Sequence, residues 1–300
     1  MSVEVDGLTL PENLPESTGQ RVWLRLKQNR AALVSMGLII AIIVAALIGP
    51  MLSSYTIEDI DYDAIAVAPS FSNGHLFGTD SLGRDLFVRT MEGSRISLLI
   101  GVVATIVSLI IGIHYGAIAG YYGGRVDAVM MRIVDILYSM PFMFFVILLM
   151  VFFGRNIYLI FIAIGAINWL DIARIVRGQT LSLRKKEFVE AARARGEGLW
   201  WIITREVLPN AAMPLATDFG LRLVFIILFI SSLSFLGLGI QPPVPSWGNL
   251  LTGAQDLIWV HPGLAVWPGL MIFVTVIAFN FLGDGLQDAL DARAQETRVL

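Results

Sequence analysis

NIYLIFIAIGAINWLDIAR, Asn156 to Arg174, decides how this chain is threaded. Its uncharged part, Asn156–Leu170, is shorter than the ~20 mostly apolar residues that cross a hydrocarbon core. Extension to Arg174 supplies the length only by admitting Asp171 near one end. The other uncharged runs pass without difficulty: 31–57, with Leu33–Leu52 as its apolar heart, then 96–124, 136–154, 223–255 and 257–283. Counting Asn156–Arg174 gives six spans, and omitting it gives five.

The basic residues choose between these, because Lys and Arg collect on the cytoplasmic side of a membrane protein. With the N-terminus inside and six spans, sixteen of the 21 Lys and Arg fall on inner segments. Arg84, Arg89, Arg95 and Arg155 fall outside, and Arg222 stays near the start of the fifth span. Dropping the doubtful span carries Arg174, Arg177, Arg184, Lys185, Lys186, Arg193, Arg195 and Arg205 to the outer side and destroys the bias. The fold expected is therefore all-α and polytopic, with six transmembrane helices and both termini cytoplasmic. Residues 1–30 form a cytoplasmic N-terminal segment and 31–52 the first helix, retained rather than cleaved because its polar lead is long and no small-residue cleavage site follows it. Residues 53–95 form an extracytoplasmic segment. Residues 96–283 form a five-helix core interrupted by a cytoplasmic loop, 174–214, and 284–300 a cytoplasmic tail.

Composition agrees with a bilayer as solvent. Of 300 residues, 56% are apolar and 15% charged, against roughly 45–50% and 25% in soluble domains, and mean hydropathy is +0.73. Such a chain is neither an ordinary soluble enzyme nor a disordered one. It has no cysteine, which excludes disulfides, thiolate nucleophiles and Cys-ligated metals. His75, His114 and His261 are far apart and form no HExxH pair, so no metal site is expected. Lys27, Lys185 and Lys186 are the only lysines, and none follows a glycine, so there is no Walker A loop to hold ATP. The net charge of −3 is too mild to imply a nucleic-acid partner.

Within the spans, Gly112, Gly116, Gly120 and Gly124 recur every four residues and define one stripe. A small-residue stripe lets helix backbones approach closely, so it serves as a packing seam or as a wall of a passage. His114, in the same stretch, is placed to hydrogen-bond across helices. Arg222 follows Asp218 by four residues, which allows an ion pair at the inner interface; a charge lining the passage is the other reading. Pro141 lacks an N–H donor and should kink or open the third span. No chain of Asp, Glu or His runs through the spans, unlike the usual ion-coupled carrier. No paired carboxylates, Ser–His pair or metal cluster lies at membrane depth, unlike an enzyme. Energy for uphill movement would have to enter from another chain.

The loop RIVRGQTLSLRKKEFVEAARARGEGLWWIITREVLPNAAMP, Arg174–Pro214, is the entry point. Glu187–Arg195 predicts a helix ended by Gly196 and Gly198. Leu199–Leu208 predicts a second, stopped before Pro209. One face would carry Phe188, Val189, Trp200, Trp201, Ile202 and Ile203, the other the basic residues. Exposed aromatics on such a module suit a protein docking knob or a helix lying on anionic lipid.

EAARARG (Glu190–Gly196), followed by VLPN (Val207–Asn210), resembles the EAA loop of the permease subunits of ABC importers. HLFGTDSLGRDLF (His75–Phe87), SFLGLGIQPPVPSWG (Ser234–Gly248) and FNFLGDGLQDALD (Phe279–Asp291) resemble the C-type permease of bacterial peptide importers. MMRIVDILYSMPFMFFVILLMVFFG (Met130–Gly154) and WLDIARIVRGQTLSLRKKEF (Trp169–Phe188) are similar to the oligopeptide branch. Glu206 stands where the family often has His, and Gln287 and Ala292 depart from its usual ending. The resemblance implies the type I ABC-importer permease fold in a bacterial inner (cytoplasmic) membrane, as a non-catalytic subunit in an importer of oligopeptides or dipeptides. It implies as partners a second homologous permease, two ATPase subunits that bind ATP and Mg, an extracytoplasmic substrate-binding protein and a peptide substrate. No cofactor belongs to this chain. Glu190, Ala191, Ala192, Gly196, Leu208 and Pro209 would form the coupling helix and turn that sit on an ATPase. The same frame serves importers of nickel, glutathione, sugar phosphates and opines. An ion-coupled carrier, or a membrane enzyme or scaffold, would be the reading from another class.

Overall fold

A backbone surrounded by apolar side chains must satisfy its own N–H and C=O groups, and the uncharged runs accordingly become helices. The computed structural model describes residues 4–5, 8–9, 18–153, 157–210 and 212–290. In chain order the helices are α1 (Thr18–Gln28), α2 (Arg30–Leu52), α3 (Leu86–Tyr122), α4 (Gly124–Ser139), α5 (Phe142–Phe153), α6 (Ile157–Leu183), α7 (Glu187–Ala194), α8 (Leu199–Ile202), α9 (Leu208–Asn210), α10 (Ala212–Phe235), α11 (Trp247–Ala254) and α12 (Gly263–Leu290). A π-helical turn, Ile203–Val207, joins α8 to α9. Strand pairing among the described residues is limited to Glu4–Val5 with Leu8–Thr9 and one isolated bridge, Thr79 with Asp85.

Three helices are long and apolar enough to cross a membrane among the described residues: Arg30–Leu52, Leu86–Tyr122 and Gly263–Leu290, with a shorter apolar stretch at Phe219–Phe235. The first begins where the Asn29 side chain accepts the Ala32 N–H at 3.1 Å, an N-cap that fills one of the unpaired donors of a helix start. Leu38, Ile40, Ile43, Val44, Leu47 and Ile48 are exposed on it. α3 has 37 residues, roughly 55 Å at 1.5 Å per residue, well beyond the ~30 Å of a hydrocarbon core. It starts ten residues before the uncharged run at 96, at an Asp85 cap whose Oδ1 accepts the Val88 N–H at 2.8 Å. Its charged first turns stay helical because their cations have partners: Arg89 donates to the Ile57 carbonyl at 2.8 Å, and Arg95 to Glu92 at 2.8 Å and to the Leu47 carbonyl at 2.7 Å.

The third apolar run is interrupted, as Pro141 requires. α4 ends at Ser139, Met140 is extended (φ −77°, ψ 134°) and α5 restarts at Phe142. The residue before a proline is pushed out of the helical region by the ring. The doubtful fourth run lies in a 27-residue helix, α6, which continues past Arg174 to Leu183.

The core forms where α3, α5, α6 and α10 meet, around Ile100, Val146, Ile164, Ile226, Ile230 and Leu233. α2 and α12 flank it at close range, since a Cβ on Gly285 would stand 2.4 Å from the Ala32 Cβ. α10 and α12 cross at Gly220 and Gly283, where a Cβ on Gly220 would lie 3.0 Å from the Gly283 Cα. At the far end of α3 the segment 53–85 folds against α11 and the start of α12, around Leu86, Leu250, Ala254 and Leu264. Trp247 is fully buried there, with its indole N–H donating to the Ser94 hydroxyl at 3.0 Å.

Candidate functional site: the loop module between α6 and α10

The module is built on the end of α6. Arg184 donates to the carbonyls of Gly120 and Tyr121, both at 3.1 Å, and so occupies the orphan acceptors at the C-terminus of α3. Lys186 turns the chain and α7 follows. Its buried side is Val189 and Ala192, packed with Ile202 and Val207 against Tyr121 and Leu183. Arg193 lies over the Tyr121 ring, 4.5 Å from its centroid, and donates to its hydroxyl at 3.2 Å.

α7 ends in a Schellman motif. Gly196 N–H donates to the Arg193 carbonyl at 2.9 Å, and Glu197 N–H to the Ala192 carbonyl at 3.1 Å. Gly196 has φ +81° and no atom within 4 Å of where a Cβ would be. Glycine is needed for its backbone angle alone. The chain then enters α8 and the π turn, in which Leu208 N–H reaches back five residues to the Ile203 carbonyl.

The expected stop before Pro209 does not occur. The widened turn carries the helical path through Leu208–Asn210, because an i→i+5 pattern relaxes the crowding that a proline ring creates in an α turn. The expected apolar face also divides in two. Val189, Ile202 and Ile203 are buried, whereas Phe188, Trp200 and Trp201 are exposed by 37%, 51% and 37%. The short α7 can bury only one narrow side; Phe188, Glu190, Ala191, Gly196 and Pro209 are exposed, while the exposed Trp200 ring lies 5.6 Å from that of His114 on α3 and the Trp201 ring 5.7 Å from the Arg195 guanidinium. Ala192 is buried and Leu208 half-buried, so the two alanines of the motif face opposite ways.

The glycine stripe is a seam between α3 and α6. A Cβ on Gly112 would stand 2.5 Å from the Ile172 Cβ, one on Gly116 2.3 Å from the Ala173 carbonyl oxygen, and one on Gly120 2.8 Å from the Arg177 carbonyl oxygen. Gly124 does not belong to it. α3 ends at Tyr122, Gly123 turns the chain with φ +64°, and Gly124 opens α4 with φ +55° and nothing within 4 Å. Among the described residues His114 makes no hydrogen bond to another helix: its Nδ1 pairs with the Ile110 carbonyl of its own helix at 2.6 Å.

Arg222 is buried and donates to the Asn168 carbonyl at 2.7 Å, with the Asp171 carboxylate 3.7 Å away. The side chain of Asp218, its expected partner, lies outside the described residues. A cavity of about 260 Å³ opens beside Asn168 and Asp171, bounded by Tyr138, Met140 and Phe225. Arg177 and Asp127 form a bidentate pair (2.5 and 2.6 Å), and Arg174 and Asp135 a single bond of 2.9 Å, both joining α6 to α4. Sequence reading counted these arginines as topology markers and missed their partners, which are 39 and 50 residues away.

A family model described as the inner membrane component of binding-protein-dependent transport systems matches residues 112–296. A model of the N-terminal TM domain of oligopeptide transport permease C matches residues 17–69. The oligopeptide transport system permease protein OppC of Haemophilus influenzae is 49% identical over 279 residues, 92% of this chain and 90% of that protein. The dipeptide transport system permease protein DppC of Bacillus subtilis is 42% identical over 275 residues, covering 91% and 85%. A chain of the inward-facing MetNI methionine ABC transporter shares the fold, with a TM-score of 0.54 at 18% identity over 66% of this chain and 94% of that one. With its backbone-close helix seam and its ordered module after α6, this chain belongs to the family of binding-protein-dependent transport system inner membrane components.

Proposed function

We propose that this chain is the C-type permease subunit of an ATP-driven importer of oligopeptides, a multi-pass protein of the bacterial inner membrane. The 49% identity to an oligopeptide permease across nine-tenths of both chains supports the peptide class. Six spans with both termini cytoplasmic are the topology that places the basic module inside. A second, homologous permease would complete the passage, two ATPase subunits would bind ATP and Mg, and an extracytoplasmic binding protein would deliver the peptide.

The observation that carries the mechanism is the way the module is held. α7 is not a loose loop. It is pinned to the end of α3 by Arg184 and Arg193 and to its own return path by a buried apolar cluster. Its outward side presents Glu190 and Ala191, and Phe188, Trp200 and Trp201 are also exposed on the module. In this reading that side sits on an ATPase, with Gly196 and Pro209 at its margin. Nucleotide-driven motion is passed to α6, and through the glycine seam to α3. The chain itself supplies a path and a hinge, and no catalysis.

Cysteines placed one at a time at 190–196 in the assembled complex test the reading. Crosslinks to a nucleotide-hydrolysing subunit are expected, along with vectorial peptide uptake that needs those subunits. Uptake that survives their loss and collapses with an uncoupler would instead identify an ion-coupled carrier.

A further inference from the structure

The cavity of about 260 Å³ beside Asn168 has no part in the coupling scheme. It lies where the third apolar run is broken. Leu137 and Tyr138, in the last turn of α4, and Met140, the extended residue that follows it, line it together with Asn168, Asp171 and Phe225. In the six-span arrangement this place is deep in the bilayer. Asp171 stands fourteen residues after Ile157 in α6, about 21 Å along the helix, against ~30 Å for a hydrocarbon core.

The Asp171 side chain is nevertheless 46% exposed. A carboxylate at such depth avoids lipid tails and faces a water-filled passage. Among the described residues no group donates a hydrogen bond to it. Arg222, its ion-pair neighbour, is buried, stands 3.7 Å away and directs Nη1 to the Asn168 carbonyl. Arg174 is committed elsewhere: it bonds Asp135 at 2.9 Å and lies over the Tyr138 ring, 4.4 Å from its centroid. Asp171 therefore keeps open acceptor positions in the cavity wall.

The rest of the wall favours the same sign of charge. The last turn of α4 carries the negative end of its helix dipole. Tyr138 and Phe225 are each 52% exposed, and aromatic faces attract cations. The described lining contains no Lys or Arg.

We propose that this cavity holds an alkylammonium group of the peptide, its α-ammonium or a lysine side chain, during passage. This rests on the peptide-permease reading. The ammonium would donate to the Asp171 carboxylate with the Tyr138 and Phe225 rings beside it, and Arg222 behind Asp171 would keep the hold weak enough for release.

The chain has no cysteine, so Met140→Cys gives this subunit a single thiol on the cavity wall. The test follows its modification in the whole complex, held in lipid nanodiscs, by mass spectrometry of the intact subunit. Two methanethiosulfonates of similar size are compared, one bearing trimethylammonium and one sulfonate, each rate divided by that with a free thiol. A preference of about tenfold for the cation is expected of a cleft of one sign. Adding Asp171→Asn should bring the ratio close to one, and adding Phe225→Leu should lower it about two- to threefold. Excess trialanine should slow the labelling, and N-acetyl-trialanine should not. An N-acetylated peptide with lysine in the middle separates the two sources: protection by it as well means that any ammonium seats, and protection by trialanine alone means that the amino terminus does. No reaction with either reagent overturns the proposal, because the face would then be covered. So does a ratio that Asp171→Asn leaves unchanged, equal protection by all three peptides, or protection by none. If the Asp171→Asn complex does not assemble, the Phe225→Leu ratio and the protection pattern decide. Absence of ATP-dependent trialanine uptake by the unaltered complex would count against the permease reading itself.

Discussion

Arg177 holds Asp127 through two parallel bonds, Nε to Oδ1 at 2.5 Å and Nη2 to Oδ2 at 2.6 Å, and so ties α6 to the first turn of α4. The Asp127 side chain is 11% exposed and that of Arg177 34%, so water screens the pair only partly. Asp127→Ala should destabilise the α4–α6 contact by about 1–2 kcal/mol, the range of a charge-assisted bond discounted for that screening. Arg177→Lys should lose part of it, because an ammonium cannot make the fork. The measurement is a double-mutant cycle on thermal unfolding of the detergent-solubilised complex. Strict additivity of Asp127→Ala and Arg177→Ala would mean that the two side chains do not interact.

The seam gives a positional contrast. Gly116→Ala forces a Cβ to within 2.3 Å of the Ala173 carbonyl oxygen, where backbone must move. A loss of about 2–3 kcal/mol is expected, as for overpacking a tight contact. Gly124→Ala meets nothing within 4 Å and suffers only its φ of +55°, a cost of about 1 kcal/mol. Melting temperatures should fall clearly further for Gly116→Ala, and the reverse order would contradict the seam as described.

Gly196 separates local from external effects. Its surroundings within the chain are empty, so Gly196→Ala should weaken the module by only about 1 kcal/mol through its backbone angle. Gly196→Asp adds bulk and charge on the exposed side. Peptide uptake should be abolished while membrane abundance stays normal. Normal uptake with Asp present would remove Gly196 from the coupling surface.

His75 organises the segment before α3. The fully buried ring pairs Nδ1 with Asp85 Oδ2 at 2.8 Å and Nε2 with Asp61 Oδ2 at 3.4 Å, and stacks on Tyr55 at 4.4 Å between centroids. His75→Ala leaves the buried Asp85 without one partner and should cost about 2 kcal/mol locally. Hydrogen exchange in 56–85 should accelerate while α6 and the seam keep their protection. Uniform acceleration across the chain would show that the segment is not a separate unit.

The helices were legible because apolar runs and punctuating residues act locally. Pro141 and Met140, Gly196 and Arg195 each set a boundary by their own backbone demands. The seam was legible at Gly112, Gly116 and Gly120 for the same reason, and failed at Gly124 because period four continues in the sequence after the helix has ended at Tyr122. Pro209 misled because tolerance of it depends on a π turn that propensity does not encode. The division of Phe188, Trp200 and Trp201 from Val189, Ile202 and Ile203 was hidden as well. Which side of a short helix is covered depends on Tyr121 and Leu183, which belong to other elements. The Arg89 environment was out of reach altogether, since segment 53–85 has no helical or strand period through which to relate Ile57 to α3.

The length of α3 has a mechanical consequence. A stiff rod of roughly 55 Å, packed closely on α6 through the glycine seam, would serve the proposed coupling as a lever with the loop module at one tip and the Ser94–Trp247 contact towards the other. Tilting it by about 10° about its midpoint would sweep each tip through roughly 5 Å. That is a full turn of helix pitch, enough to carry the tip from one register with α11 to the next.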